Sequence, residues 1–349
     1  MPPVSPPLTP LVIRFGRLGD MLLQAPLLHL LHRRYGAPCK ILTRGTWTQA
    51  LYAGHPDVGA IESFHARHAP VAFSPERWRA IAALRTHHGP IYVSEDTRGS
   101  LKRIRWLLRL ARMPRERYAF VSESFRGTDE HWVDQLLRFG QMTPAAFPAA
   151  AYPCHEDDLQ AAPRLYLEDR DRADAQAWLS SRGFAGAPLV LLQPGNWKTR
   201  RFGRRHAVDP KFWPVSRWVE LLRSIRADLP AAHLLLCGAP AELPVLSAIR
   251  DAALAVRAQI ATDDLPVRRL LGVLERAHSM VSVDSGPAHL AAAMGCPLVT
   301  MYGHYSPRRW GRRSPFGKPV IDLGGTPQTR AVSELDAHAV IAAWRRLHT

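Results

Sequence analysis

Short apolar segments alternate with amphipathic helical segments along this chain, and that alternation restricts its fold more than any other feature. In the first half the apolar segments are LVIRF at 11–15, KILT at 40–43 and IYVS at 91–94, and helical patterns span 21–35 and 101–112. Continuous apolar runs are typical of strands inside parallel sheets, which helices cover on both faces. The pattern therefore predicts an α/β fold with doubly wound parallel sheets.

The alternation is interrupted once and then restarts, which predicts two domains. Residues 142–163 are rich in proline and alanine and show little periodicity. Further strands and helices follow: strands at 189–193, 233–237, 280–284 and 297–303, and helices at 169–181, 216–228, 241–255 and 287–294. We predict one domain over 1–160, a second over 161–330, and a closing helix within 331–349, at 333–348, that could pack on either domain.

The chain is strongly basic, with 46 lysine and arginine residues against 30 aspartate and glutamate residues and a formal net charge of +16. Only five of the basic residues are lysine. Arginine makes planar contacts with phosphate and carboxylate, which fits nucleic acid, an anionic lipid surface or a phosphorylated sugar as partner. A compositional bias explains the same excess, so charge alone names no partner. The hydrophobic share of 46% is that of a globular protein and excludes general disorder.

Cysteine usage and the N-terminus indicate a cytoplasmic protein. Cys39, Cys154, Cys237 and Cys296 form no C-x-x-C pair and lack metal-ligand spacing, which favours reduced and mostly buried thiols. The start MPPVSPPLTP has neither the basic nor the apolar part of a secretory signal. No apolar run reaches about 18 residues, so we expect at most a peripheral contact with a membrane.

Two glycines, Gly16 and Gly19, lie where the first strand gives way to a helix in RFGRLGDMLLQ. A strand, a glycine turn and a helix are typical of nucleotide-binding loops, but the spacing here is G-x-x-G-D. Because it is not the G-x-G-x-x-G of dinucleotide-binding enzymes, the sequence argues against a dehydrogenase. Asp20 lies at this turn, either as a cap of the helix that follows or as a chemically active carboxylate.

The segment SVDSGPAHL, residues 282–290, is the most distinctive of the second half. Asp284 ends a strand, Ser285 and Gly286 form a turn, Pro287 suits the first helical position and His289 falls in the first turn. Backbone N–H groups, a hydroxyl and the positive end of a helix then meet at the carboxyl edge of a parallel sheet, which suits a diphosphate. The competing interpretation is a simple helix cap.

Other strand ends carry polar groups that would reach the same edge. QPGN at 193–196 follows one strand, GAPAE at 238–242 supplies Glu242 for ribose hydroxyls, and KFWP at 211–214 supplies Lys211 for a phosphate. Each has an ordinary alternative: Lys211 as a solvated lysine, Glu242 as a first-turn carboxylate beside the helix dipole, and His289 as a packing residue. Their convergence argues for a ligand site more strongly than any one of them.

In the order and approximate spacing of its motifs, the sequence resembles glycosyltransferase family 9, which includes the heptosyltransferases of the lipopolysaccharide inner core. The resemblance is carried by IRFGRLGDMLLQAPLLHLL, LLQPGNW, KFWPVSRWVELL, LLLCGAPAE, VSVDSGPAHLAAAMGCPLVTMYG and SPRRWG. It implies a GT-B arrangement of two Rossmann-like domains facing a central cleft. It also implies that the C-terminal domain holds a nucleotide-sugar donor such as ADP-heptose, and that an anionic, lipid-linked saccharide acceptor faces the N-terminal domain.

The resemblance assigns roles to residues that match the family's motifs. Asp20 matches the general base, Lys211 the lysine that contacts the phosphates, and Glu242 the glutamate that binds the ribose. The remaining donor-binding residues are expected to be Asp284, Ser285, Gly286, Pro287 and His289. Two departures stand out: Arg17 replaces a small or hydroxyl residue of many members, and a basic insertion at 198–210 is longer than the family's connection.

These assignments predict an inverting, single-displacement transfer that uses neither a metal nor a cofactor. Glycosyl transfer needs a base for the acceptor hydroxyl and a positive charge for the departing diphosphate. The N–H groups at Ser285–Pro287 and the ammonium of Lys211 could supply that charge. Asp20 would take the proton, a role that is compatible with capping a helix.

The acceptor side is less constrained. Residues 96–118 place arginines around an apolar helix face, which fits an anionic membrane surface, the charged groups of a lipid-linked acceptor, or an ordinary solvated basic face. Residues expected at the acceptor or the cleft are Gly16, Arg17, Gly19, Arg103, Arg105 and Arg109. Rival functions are transfer of another sugar, an epimerase-like reaction, and, in a different class, nucleic-acid binding, for which the sequence has no recognisable module.

Overall fold

The computed structural model describes residues 6–64, 74–125, 129–184, 186–196 and 209–348. The chain divides into two compact units between Tyr166 and Leu167, here called unit 1 and unit 2. Each contains one parallel sheet with helices between its strands. The predicted α/β class with parallel sheets is confirmed.

Unit 1 contains a five-stranded sheet. Its strands are β1 Leu11–Ile13, β2 Cys39–Thr43, β3 Val58–Ser63, β4 Ile91–Val93 and β5 Tyr118–Phe120. Its helices are α1 Leu18–Leu22, α2 Ala25–Tyr35, α3 Trp47–Tyr52, α4 Pro75–Arg85, α5 Arg98–Leu110, α6 Val121–Ser124 and α7 Trp132–Gln141. The strand order is β3-β2-β1-β4-β5. Strands β2 and β3 lie on one side of β1 and strands β4 and β5 on the other, so the switch point is between β1 and β4.

Local sequence accounts for the helix ends in unit 1. The single helix predicted over 21–35 is wrong in one respect, because the chain turns after α1 and starts α2 with Pro26 in its first turn. Proline lacks an N–H and is tolerated only there. Gly36 ends α2 in the left-handed conformation, with φ of 70°, as a glycine C-cap does. The Oγ of Ser74 accepts from the N–H of Arg77 and caps α4.

Helix α5 supplies much of the unit 1 core. Leu101, Ile104, Leu107 and Leu108 are buried and belong to one cluster with sheet residues such as Ile13. The apolar face predicted for this helix is therefore covered by the protein itself, and its basic face is the one exposed to solvent.

Unit 2 contains a six-stranded sheet. Its strands are β6 Leu189–Gln193, β7 His233–Cys237, β8 Gln259–Ala261, β9 Ser279–Val283, β10 Leu298–Tyr302 and β11 Val320–Gly324. Its helices are α8 Asp169–Ser181, α9 Val215–Asp228, α10 Leu243–Ala252, α11 Val267–Arg276, α12 Gly286–Ala293, α13 Pro307–Trp310 and α14 Ala337–Arg345. The order β11-β10-β9-β6-β7-β8 is that of a Rossmann fold, with its switch point between β6 and β9.

The closing helix α14 packs on unit 2, which the sequence left open. It is shorter than the predicted 333–348, and Asp336 caps it by accepting from the N–H of His338. The indole Nε1 of Trp344 donates to the Oγ of Ser279 over 2.9 Å inside the core. Helix α14 therefore completes the helix layer of unit 2.

Within the described ranges, no helix combines the length and the apolar character needed to cross a membrane.

Three of the four cysteines are buried, and none forms a disulfide. Burial raises the pKa of the Cys237 thiol to about 12, which keeps it protonated at neutral pH. Cys154 is partly exposed.

Candidate functional site

Lys211 and Asp284 lie in contact at the switch point of unit 2. The Nζ of Lys211 donates to the main-chain oxygen of Asp284 over 3.1 Å and to its Oδ2. The side chains are only 11% and 13% exposed. Lys211 is thus not a solvated lysine: the fold brings its ammonium to the strand end that the sequence singled out.

Arg312 holds the other oxygen of Asp284 and was not identified from the sequence. Its guanidinium is fully buried, donates to Asp284 Oδ1 and to the main-chain oxygen of Ser285, and lies over the ring of Tyr302. Burial alone would raise the pKa of Asp284, but Arg312 and Lys211 outweigh it and hold that pKa well below its usual range. Arg312 lies in the stretch after SPRRWG, where no local pattern distinguishes it from its neighbouring arginines.

Asp322, on strand β11, is a second carboxyl beside Arg312. Burial raises its pKa to about 6, although the guanidinium of Arg312 acts in the opposite direction. Its Oδ1 is buried without a hydrogen-bond partner among the described residues. This part of the site therefore contains a carboxyl group that titrates close to neutral pH.

Glu242 lies at the end of β7, in a pocket of backbone made by two glycines. Its Oε2 accepts from the N–H of Ala239 over 2.6 Å, and the residue is 4% exposed. A Cβ on Gly195 would come within 2.6 Å of its carboxylate, and one on Gly238 within 2.9 Å. A Cβ on either glycine would therefore displace this carboxylate, and the QPGN and GAPAE motifs meet at one side chain.

Ser285 begins helix α12 as its N-cap. Its Oγ accepts from the N–H of Ala288 over 3.4 Å and lies 2.9 Å from the Oγ of Ser282. Gly286 and Pro287 form the first turn of α12, and the partly exposed His289 follows in the same turn. The capping interpretation is correct in geometry, and the same geometry directs the positive end of the helix toward Asp284 and Lys211.

Unit 1 has its own charged cluster at the switch point between β1 and β4. Arg14, at the end of β1, is 3% exposed and donates to the main-chain oxygen of Ser94 over 2.7 Å. Three carboxylates surround its guanidinium: Asp96 at 3.0 Å, Glu95 at 3.5 Å and Asp20 at 3.6 Å. Burial would lower the pKa of Arg14, but these carboxylates raise it above its usual value.

Asp20 is the exposed member of this cluster, with 33% of its side chain accessible. Its Oδ2 accepts from the N–H of Arg17 over 2.8 Å, and a Cβ on Gly16 would lie 2.4 Å from the Cβ of Asp20. Gly16 is thus needed for the turn to fold back on Asp20, while Gly19 lies inside α1. Asp20 does cap its helix, and its carboxylate remains accessible from solvent.

Glu95 links the ends of strands β1 and β4 through hydrogen bonds and was not identified from the sequence. It is 1% exposed, and its oxygens accept from the N–H groups of Phe15, Asp96 and Thr97. The signal in the sequence was the pair of carboxylates, Glu95 and Asp96, directly after the run IYVS.

The arginines of α5 do not join this cluster. Arg103 and Arg109 are exposed, and Arg105 binds Glu123 over 3.1 Å and lies over the ring of Phe120. Of the basic insertion at 198–210, residues 198–208 lie outside the described residues. Asp209, just after them, accepts from the amide of Asn196 over 3.1 Å.

No group of three or more His, Cys, Asp or Glu in the described part of the chain is placed to hold a metal ion. The two aspartates of the D-R-D triplet at 169–171 form no such group: they lie in the first turn of helix α8, where Asp171 binds Arg268. Chemically, the unit 2 cluster presents buried cations and a helix N-terminus, which suits a phosphate group. The unit 1 cluster presents an accessible carboxylate, which suits a hydroxyl group.

The fold is shared with solved structures of low sequence identity. A family 9 glycosyltransferase from Veillonella parvula DSM 2008 superimposes with a TM-score of 0.76 at 16% identity, covering 99% of this chain and 98% of that chain. The E. coli ADP-heptose heptosyltransferase II gives 0.71 at 18% identity, covering 97% and 98%. The E. coli heptosyltransferase WaaC with ADP gives 0.65 at 20% identity, covering 97% and 100%.

A comparison with curated protein sequences gives no match. The sequence profile described as glycosyltransferase family 9 (heptosyltransferase) matches residues 130–337, more than half of the chain. The match includes Lys211, Glu242, Asp284 and Arg312, whereas Asp20 lies before it. The chain therefore belongs to glycosyltransferase family 9, and it is a glycosyltransferase with the α/β fold of the GT-B heptosyltransferase structures.

Proposed function

We propose that this enzyme transfers a heptose or a related sugar from a nucleotide diphosphate donor, ADP-heptose, to an acceptor of the lipopolysaccharide inner core. The observation that carries the proposal is the pair of buried cations, Lys211 and Arg312, on Asp284 at the switch point of unit 2. In open α/β sheets, ligands bind at the switch point outside the carboxyl ends of the strands. The E. coli neighbours named for ADP-heptose and solved with ADP support ADP-heptose as the first donor to test.

The donor would lie along the carboxyl edge of the unit 2 sheet. The diphosphate would accept from the backbone at the start of α12, near Ser285, Gly286 and Pro287, with Lys211 supplying a full positive charge. Glu242 would accept from the ribose hydroxyls at the end of the neighbouring strand β7. His289 and Asp284 would contact the sugar or the diphosphate.

Asp20 would act as the general base in an inverting displacement. The N–H of Arg17 and the guanidinium of Arg14 fix the direction of its carboxylate, and a third of the side chain is open to solvent. It would take the proton of the acceptor hydroxyl as that oxygen attacks the anomeric carbon and the nucleoside diphosphate departs. General-base assistance of this kind contributes about 10²- to 10⁴-fold.

Lys211 and the N-terminus of α12 would stabilise the negative charge that develops on the departing diphosphate, so we propose a reaction that needs no metal. We also propose that the reaction takes place in the cytoplasm. Preorganised charges in a buried site are effective because they need no reorganisation as the reaction proceeds. Gly16, Arg17, Gly19 and the arginines of α5 are proposed to lie on the acceptor side. Contact with the inner membrane would then be peripheral.

The decisive experiment incubates the protein with ADP-heptose and, separately, with other nucleotide sugars, together with truncated lipopolysaccharide acceptors. Product mass reports the transferred sugar, NMR reports the anomeric configuration, and a parallel reaction with EDTA tests the need for a metal. We expect one heptose added with inversion and a rate unchanged by EDTA. Transfer of another sugar would keep the reaction class and replace the donor, whereas epimerised nucleotide sugar without transfer would overturn the proposal.

A further inference from the structure

We propose that helices α4 and α5 of unit 1 form a surface that binds an anionic lipid bilayer. This basic tryptophan surface consists of Trp78, Arg98, Lys102, Arg103, Trp106 and Arg109. All six are exposed. The inference names the surface at which the enzyme would meet a lipid-linked substrate. It rests on the proposed function for the nature of the acceptor.

The basic stripe on α5 follows from helical spacing. Arg98, Lys102, Trp106 and Arg109 succeed one another at intervals of four, four and three residues, so they lie on one face of the helix. The opposite face, from Leu101 to Leu108, is buried in the core of unit 1. Helix α5 is therefore anchored in the protein and cannot insert its apolar face into lipid, so any binding must use the basic stripe.

Trp78 lies on the side of α4 that faces α5. Helix α4 packs against α5, and the Arg85 guanidinium donates to the main-chain oxygen of Leu110 over 3.0 Å. Trp78 precedes Arg85 by seven residues, which is two helical turns and places both on the same side of α4. The indole of Trp78 thus projects beside the stripe of α5.

The two tryptophans are unusually exposed for their size. Trp78 is 46% and Trp106 37% accessible, and Met142 is the other exposed large apolar side chain among the described residues of unit 1. Indole rings favour the level of the lipid headgroups, since one end is apolar and the other carries an N–H. Tryptophan among cations matches a membrane interface better than it matches a solvated helix face.

The charge of this surface is uncompensated. The sequence has no acidic residue between Asp96 and Glu116. Glu123, the nearest partner on the β5 side, is taken by Arg105 and Arg115. Among the described residues, no carboxylate lies within ion-pair distance of Lys102, Arg103 or Arg109, so these cations complement anionic headgroups.

The surface begins beside the unit 1 cluster. Arg98 opens helix α5 two residues after Asp96, which binds Arg14 in the cluster that contains Asp20. A bilayer on the basic stripe would therefore lie next to the switch point of the same unit. A saccharide attached to lipid could reach that edge without leaving the membrane.

The test measures binding to vesicles by co-sedimentation at several salt concentrations, with no donor or saccharide present. The vesicles are phosphatidylcholine alone, or phosphatidylcholine with about one third phosphatidylglycerol. The variant R98E/K102E reverses two stripe charges, and R223E/R276E reverses two exposed arginines on helices α9 and α11 of unit 2 as a matched control. A second pair compares W78A/W106A with L243A/L254A, which truncates two exposed leucines.

We expect the wild-type protein to bind the anionic vesicles only and to release them as salt rises. A cation near an anionic surface strengthens binding about fivefold, so R98E/K102E should weaken it by more than about 25-fold while the unit 2 control stays within about threefold. The tryptophan variant should weaken it more than the leucine control. Melting temperatures of all variants confirm that each is folded.

Equal loss in R98E/K102E and R223E/R276E would overturn the proposal, because net charge rather than this surface would then be responsible. The proposal would also be overturned if the wild-type protein did not bind vesicles but bound lipid-free core saccharide or duplex DNA, and R98E/K102E weakened that binding. Failure of sugar transfer with every donor would overturn the proposed function instead, because the vesicle assay requires no transfer.

Discussion

Both units place a buried arginine at the switch point of a parallel sheet, but the charged groups around the two arginines differ. In unit 1 one guanidinium, that of Arg14, is surrounded by three carboxylates. In unit 2 two cations, Lys211 and Arg312, hold the carboxylate of Asp284, and Asp322 lies beside Arg312 as a second carboxyl whose pKa is raised to about 6. The position in the fold is equivalent, but unit 1 has one cation among three carboxylates, whereas unit 2 adds a second cation, Lys211, on Asp284.

This difference teaches that the Rossmann-like fold supplies the place and the side chains supply the function. A site that exposes a carboxylate can accept a proton from a hydroxyl, while a site of buried cations can stabilise a phosphate. Each arginine also fixes the direction of a carboxylate, Asp20 in one unit and Asp284 in the other. The comparison supports the proposal that unit 1 supplies the base and unit 2 binds the diphosphate, and the variants below test that division.

The largest effect is expected at Asp20. Asp20→Asn keeps the size of the side chain and removes the base, so kcat should fall by about 10²- to 10⁴-fold while the donor dissociation constant stays unchanged. Asp96→Asn is the matched control, since Asp96 also binds Arg14 and its side chain is 29% exposed. Measured under donor saturation, kcat should fall further in Asp20→Asn than in Asp96→Asn. An equal loss in both variants would mean that the whole cluster, and not Asp20, is responsible.

Arg312→Met should destabilise unit 2. Asp284 is 13% exposed, and of the two cations that hold it only Lys211 would remain. Removing one partner from a buried ion pair costs about 3 to 5 kcal/mol. Urea denaturation measures the free energy of unfolding, with the exposed Arg276→Met as control. A loss below about 1 kcal/mol would show that Arg312 does not anchor the cation cluster.

Lys211→Met should weaken donor binding and should destabilise unit 2 less than Arg312→Met does, because the Lys211 side chain is 11% exposed whereas that of Arg312 is fully buried. A hydrogen bond to a charged group contributes about 1.5 to 3 kcal/mol, so the ADP dissociation constant should rise by about 10- to 150-fold in titration calorimetry. Lys318→Met, at an exposed lysine of the same unit, should leave it unchanged. Unaltered ADP affinity in Lys211→Met would remove the phosphate role from Lys211.

The smallest effect is the pH dependence that Asp322 of unit 2 should add to the free energy of unfolding. The pKa of Asp322 is about 6 in the folded protein, above its unfolded value of 3.8, so the native state binds the extra proton. Its contribution to stability is complete below about pH 4 and is lost as pH rises through about 6, by at most about 3 kcal/mol. The difference in unfolding free energy between wild type and Asp322→Asn should change over that window. A constant difference would contradict a buried, titrating Asp322.

The strands that the sequence predicted are those inside the two sheets, and the strands that it missed are those at the edges. The predicted strands at 189–193 and 233–237 have the observed bounds of β6 and β7. The missed strands are β3, β5, β8 and β11, which are the four sheet edges. An inner strand is covered on both faces and becomes a continuous apolar run, whereas an edge strand such as VGAIES or VIDLG is partly exposed and mixes polar residues into the pattern.

The same physics separates the site residues that were predicted from those that were missed. Lys211, Glu242 and Asp284 follow apolar runs or sit in recognisable motifs, so local pattern identified them. Arg14 and Arg312 make their contacts with residues 80 and 28 positions away, through Ser94 and Asp284. No local pattern records such pairs, because they depend on which strands become neighbours.

By itself, the amino-acid sequence determined the α/β class, the order of inner strands and helices and the family motifs, because burial and helix capping are written in local spacing. Only the tertiary structure decided which charges meet. Sheet order brings β1 beside β4 and β6 beside β9, and the balance of charge at each switch point follows from that pairing. Ion pairing acts between groups close in space, and closeness in space between distant residues is a property of the folded chain.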